Sequence, residues 1–100
     1  MREGTVAAYL IADVEITDPL IFEEYRAKVP AVIAAHGGRY LVRGGAHQRL
    51  EGNAELHRVI VIEFPDMAKL KSFYDCREYL PLIELRQKSS RSSLFAVNGV

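Results

Sequence analysis

One hundred residues, 49% apolar and 26% charged, describe one folded domain and exclude a disordered or low-complexity chain. Thirteen basic residues balance thirteen acidic ones, which excludes a broad electrostatic footprint for nucleic acid or an anionic membrane. A single cysteine, Cys76, excludes an internal disulfide, and no apolar run approaches the roughly 20 residues of a membrane span.

The start of the chain carries no basic-apolar-small pattern of a secretory signal, so the expectation is a soluble, cytoplasmic protein with residues 1–100 forming one domain. Residues 7–16 are rich in strand formers. Tyr9, Ile11, Asp13 and Glu15 share one face, and Leu10, Ala12, Val14 and Ile16 the other. Thr17-Asp18-Pro19 then starts a helix, because Asp18 can accept from free backbone amides and Pro19 loses no bond at the first helical position. Phe22, Tyr25, Val29, Val32, Ile33 and His36 recur at helical spacing as one apolar stripe. Pro30 interrupts it and predicts a kink that frees the Arg26 carbonyl, and Gly37 predicts the stop.

A strand follows at 39–44. Strict alternation places Arg39, Leu41 and Arg43 on one face, with Tyr40 and Val42 on the other. Residues 45–56 read as a polar loop. Residues 57–64 hold four β-branched residues in succession, which implies burial on both faces of a strand. Pro65-Asp66 caps a helix whose inner stripe is Met67, Leu70, Phe73 and Tyr74. Asp75 and Glu78 have the spacing of a capping box that restarts a helix through Tyr79, Leu82, Ile83 and Arg86. Ser89 to Ser93 reads as a break before a short last strand at 94–97, and the basic run from Arg86 to Arg91 reads as a solvated helix end.

The order is β-α-β-β-α-β, an α+β, ferredoxin-like arrangement with a four-stranded antiparallel sheet and its helices on one face. Four strands of about six residues at about 4.8 Å spacing leave a second face of roughly 400 Å². The pattern at 59–62 makes that face apolar, and covering it would contribute up to roughly 10 kcal/mol per subunit before association costs. The expected partner is therefore a second copy of the chain, packed sheet against sheet.

Asp18-Pro19, Tyr25, His36 to Gly45, Glu51-Gly52, Glu63-Phe64-Pro65, Tyr74 and Glu78-Tyr79 together resemble a known family. It is the family of small bacterial proteins named domain of unknown function thirteen-thirty, within the dimeric α+β barrel superfamily, and the resemblance runs from Ala7 to Gly99. It implies two ferredoxin-like subunits whose sheets form a barrel, each with a cleft between sheet and helices. Relatives at that level include cofactor-independent monooxygenases, isomerases, stress-induced dimers and ligand-sensing modules. The chain departs from the family pattern at Asn53-Ala54, where many relatives carry an acid and a tryptophan, and at Cys76, where a serine is common.

The residues themselves suggest a site. Arg43 and Arg86 have the guanidinium geometry to clamp a carboxylate or enolate. Tyr74 could donate a hydrogen bond, and Glu63 could act as a base if burial raised its pKa. His36, Arg39 and Tyr40 are further candidates, with His36 the natural base near neutral pH and otherwise a helix cap. A hairpin of 39–44 with 57–64 would set Arg39 opposite Glu63, an ion pair that could equally be structural. His36, His47 and His57 lie on separate elements without ligand spacing, so no metal site is expected. Cys76 has no evident histidine partner, Gly44-Gly45 is too short to cradle a phosphate, and no cofactor fingerprint is present. Two functions are open: a homodimer binding a small organic acid or carbonyl compound in the sheet–helix cleft, or a cofactor-independent isomerase, lyase or monooxygenase acting on a small activated carbonyl substrate.

Overall fold

The computed structural model describes residues 6–100, so the first five residues of the expected domain lie outside the described residues. Strand β1 (Ala8–Ile16) leads into helix α1 (Pro19–Ala35), then β2 (Arg39–Arg43), β3 (Arg58–Phe64), α2 (Met67–Asp75), α3 (Leu80–Ser89) and β4 (Ser90–Asn98). The sheet order is β2-β3-β1-β4 with every neighbouring pair antiparallel. This is the expected split βαβ arrangement, with the second helical stretch divided in two.

The ends of α1 follow the sequence chemistry closely. The Asp18 carboxylate accepts from the Ile21 amide at 3.3 Å, with Pro19 in the first turn. At the other end Gly37 takes φ +78°, its amide donates to the Ala34 carbonyl, and the Gly38 amide donates to the Ile33 carbonyl. Those two bonds satisfy carbonyls that the last turn would otherwise leave bare. The helix runs through Pro30 to Ala35, as the stop at Gly37 predicts.

Two expectations around α3 are corrected. Asp75 and Glu78 make no capping box: α2 runs to Asp75, and α3 starts at Leu80 with Tyr79 as its N-cap and no side-chain cap bond. Nor does the serine run break the chain. β4 begins at Ser90, directly after α3, and pairs with β1 along its whole length from Ile16↔Ser90 to Ala8↔Asn98. The Ser89 hydroxyl donates to the Leu85 carbonyl and the Ser90 hydroxyl to the Arg86 carbonyl, so the serines close the helix end while the backbone turns into the strand.

Parity splits the sheet into two unlike faces. Ala8, Leu10, Ala12 and Val14 of β1 and Ile60, Ile62 and Phe64 of β3 are buried beneath the helices, against Phe22, Val29 and Ile33 of α1. A row of aromatic rings ties sheet to helices: Phe64 to Phe73 at 5.4 Å between centroids, Phe73 to Tyr79 at 4.4 Å, and Tyr79 to Tyr25 at 6.4 Å. The opposite face carries Ile11, Val42, Val59, Val61, Phe95 and Val97, half-buried or exposed. No helix among the described residues is long and apolar enough to cross a membrane.

Candidate functional site

A cavity of about 50 Å³ lies between the sheet and the helices, toward the end of the sheet where β1 hands over to α1. A volume of that size holds a few water molecules. Its walls are Leu10, Ala12 and Val14 below, Phe22, Val29 and Ile33 above, and Tyr25, Tyr40, Phe73 and Tyr79 around the side. Into this apolar shell project four arginines, Arg26, Arg43, Arg58 and Arg86, and among the described residues no carboxylate lines it.

Each arginine arrives by a definite device. Arg58 is at the start of the alternation Arg58, Ile60, Ile62, Phe64, so its side chain shares their inward face. Arg26 falls at helical spacing between Phe22 and Val29, and its guanidinium lies 5.5 Å from the Phe22 ring centroid. Arg86 continues the inner stripe of α3 after Leu82. It is only 4% exposed, and its Nη1 donates to the Ser92 hydroxyl at 2.8 Å. The basic end of α3 is thus not simply solvated, because at Arg86 it is core.

Arg43 depends on an irregularity. The register between β2 and β3 shifts after Tyr40, so Tyr40 opposes Ile62 and Arg43 opposes Ile60. A bulge at Leu41 inserts one residue and reverses the parity beyond it. Tyr40 and Arg43 therefore share the inward face, with the Arg43 guanidinium 4.4 Å from the Tyr40 ring centroid, while Arg39 and Val42 face the other way. The expected grouping of Arg39, Leu41 and Arg43 on one face is overturned for this reason.

The electrostatics are lopsided. Burial, with Arg26 and Arg43 beside it, holds the Arg58 pKa below the ordinary guanidinium value. At Arg86 burial works against the charge, but the hydroxyls of Tyr79 and Tyr25 outweigh it and raise the pKa. The Tyr25 and Tyr79 hydroxyls are hydrogen-bonded to each other at 3.0 Å, and burial pushes the Tyr25 phenol well above its usual range. Nε of Arg26 and Nε of Arg86 are buried without a hydrogen-bond acceptor among the described residues. Buried donors on a charged group are costly when unpaired, so these atoms mark where an acceptor belongs.

The expected site is brought together only in part. Arg43, Arg86 and Tyr40 line the cavity. Glu63 and Arg39 do not: they pair on the opposite face at 2.7 Å, where the Tyr9 hydroxyl also donates to Glu63 at 3.2 Å. Glu63 stands one position past Ile62 in a regular strand, so alternation turns it away from the helices. The Arg39 hydrogen bond holds its pKa below the usual carboxylate range, the reverse of what a base raised by burial needs. His36 caps α1, its Nδ1 donating to the Val32 carbonyl at 2.9 Å, and lies outside the cavity. Tyr74 is on the outer side of α2, edge-on to Tyr79 at 5.7 Å between centroids, and does not line it.

Arg26, Arg58, Tyr25 and Tyr79 fall outside the expected site yet line the cavity. Spacing alone could have found Arg26 and Arg58, since both continue a buried pattern. Among the described residues, no three His, Cys, Asp or Glu side chains converge as metal ligands.

The family model described as Domain of unknown function (DUF1330) matches residues 7–100. No curated protein matches the chain. Among solved structures, a protein of unknown function from Rhodopseudomonas palustris is similar at TM-score 0.77 and 18% identity, over 99% of this chain and 85% of that one. SnoaB, a cofactor-independent oxygenase from Streptomyces nogalater, is similar at TM-score 0.66 and 15% identity, over 96% and 95% of the two chains. A dimeric ferredoxin-like protein of unknown function from Jannaschia sp. CCS1 is similar at TM-score 0.61 and 12% identity, over 91% and 97%. At these identities the likeness is one of fold, and the fold is α+β and ferredoxin-like. The family match spans nearly the whole chain, and the protein belongs to the DUF1330 family.

Proposed function

We propose that this protein is a homodimer that binds a small organic anion in the sheet–helix cavity, with Arg43 and Arg86 as the clamp. The observation that carries the reading is the lining itself: four arginines, no carboxylate among the described residues, and two buried Nε atoms without acceptors. An unpaired buried charge costs several kcal/mol. A bound carboxylate or enolate offsets that cost, and guanidinium geometry suits it. The apolar outer face of the sheet supports the dimer, and Cys76, the chain's one cysteine and free of any disulfide, supports a reducing, cytoplasmic setting.

A thermal-shift screen of organic acids on wild type and Arg86→Ala tests the reading. Acids that fit stabilise the wild type and lose most of that effect in the variant. Equal stabilisation of both proteins by every hit overturns the clamp.

The second reading is a cofactor-independent enzyme acting on a small activated carbonyl substrate, and the fold it shares with an oxygenase supports it. In this cavity the proton carriers would be the Tyr25 and Tyr79 phenols, because Glu63 and His36 lie elsewhere.

A further inference from the structure

We infer that the ligand carries two anionic groups joined by a short apolar body, one held by Arg26, Arg43 and Arg58 and the other by Arg86 beside the Tyr25–Tyr79 hydroxyl pair. This rests on the anion-binding reading above and gives the ligand its class, a small dicarboxylate or an oxo-acid ionised at both ends.

The arginines form two groups on either side of Val14. In the sheet, Val14 pairs with Arg58 of β3 on one side and with Ser92 of β4 on the other. Ser92 accepts from Arg86. Arg58 and the serine that accepts from Arg86 therefore stand two interstrand spacings apart across the sheet, about 10 Å between backbones. Arg43 joins the Arg58 side from β2, one pair further along at Ile60, and Arg26 joins it from α1. Arg26 and Arg43 act on Arg58, and the Tyr25 and Tyr79 hydroxyls act on Arg86.

A single carboxylate cannot satisfy both groups. Seated at Arg86, it leaves Arg43 and Arg58 without a carboxylate partner among the described residues, and Arg26 with only the exposed Glu23 carboxylate at 3.8 Å. Seated at Arg58, it leaves the most deeply buried charge among the described residues with only neutral hydroxyl partners and an Nε without an acceptor. The lining around them is mostly apolar, with Ala12, Val14, Ile60 and Phe22 in it, and Tyr40 is the polar side chain near both Arg58 and Tyr79. The small cavity favours a short body over a polycyclic one.

Isothermal titration calorimetry with malonate, succinate, glutarate and adipate, against the monoacids propionate, butyrate, valerate and hexanoate, tests the inference. The best diacid is expected to bind roughly tenfold or more tighter than its length-matched monoacid, since a hydrogen bond to a charged group contributes about that much. Arg58→Gln and Arg86→Gln should each reduce the diacid to the monoacid's affinity. Arg58 is the second variant because it sits on a strand at the rim and does not carry the core. Matched affinities of diacid and monoacid, sensitive to Arg86→Gln and indifferent to Arg58→Gln, overturn the two-ended ligand and leave a one-anion pocket standing. No binding of any acid by the wild type overturns both readings.

Discussion

Gly44 lies against the guanidinium of Arg58: a Cβ at position 44 would come within 2.7 Å of Arg58 Nε. The glycine also has φ +73°, a conformation that L residues resist, and its amide donates to the Val59 carbonyl at 2.8 Å. Gly44→Ala therefore does two things. It strains the backbone by about 1–2 kcal/mol, and it drives the flexible end of Arg58 out of its place. Gly52→Ala is the control, because Gly52 has φ +88° but no atom within 4 Å of its Cβ position. Urea denaturation should show a loss for Gly44→Ala, and calorimetry with a bound acid should show weakened affinity for that variant alone. Wild-type affinity in Gly44→Ala would mean that the position of Arg58 does not matter for binding.

Arg86 should serve the ligand more than it serves the fold. It is 4% exposed, it has no carboxylate partner among the described residues, and its partners are neutral, the Ser92 hydroxyl and the tyrosine hydroxyls beside it. Replacing a buried charged group with a flexible apolar one of similar length is often neutral or stabilising by about 1–4 kcal/mol. Arg86→Met is expected to keep or raise the denaturation midpoint while abolishing the thermal shift with organic acids. A large destabilisation, with far-UV circular dichroism showing partial unfolding, would assign Arg86 to the architecture instead.

Where a local rule acts alone, the sequence was a sufficient guide. The cap at Asp18, the stop at Gly37 and the two-faced pattern of β1 depend only on neighbouring residues, and each is present in the fold. The pairing of Arg39 with Glu63 follows from hairpin register and is also present. The site was harder to read because its membership depends on one inserted residue. Without the bulge at Leu41, Arg43 would stay with Arg39 and Glu63 on the outer face; with it Arg43 turns inward and leaves that pair behind. Nothing local announces such an insertion. The serine run misled for a different reason: its hydroxyls bond back to Leu85 and Arg86, which lets a helix become a strand without a loop.

The outer face of the sheet predicts an assembly that one charge can break. Phe95 is 66% exposed there, on the same face as Ile11, with which it pairs. Burying such a ring contributes about 1.5–3 kcal/mol in each copy of a symmetric pair. Phe95→Glu removes that contribution twice and places two carboxylates in the interface. Size-exclusion chromatography with light scattering should show a dimer for wild type and a monomer for the variant at micromolar concentration, with unchanged circular dichroism. A wild-type monomer under the same conditions would remove the sheet-to-sheet dimer.

The same face is edged by carboxylates that make stability fall in acid. At Asp13 burial alone would raise the pKa, but the His57 amide at 2.6 Å and the His57 ring at 3.3 Å outweigh it and hold the carboxyl below its ordinary value. At Glu63 the Arg39 hydrogen bond acts in the same direction. A carboxyl depressed in the folded state takes up its proton less readily than the unfolded chain does, so its stabilisation is complete above the ordinary carboxylate value of about 4 and is lost as pH falls through the folded-state value. Asp13→Asn keeps an oxygen for the His57 amide and removes the titration. Urea midpoints measured from pH 7 down to about 3 should fall more steeply below about pH 4 for wild type than for Asp13→Asn, the two converging at the acid end. Parallel curves across that range would show that Asp13 is not held below its ordinary pKa and that the His57 bonds contribute nothing to folding.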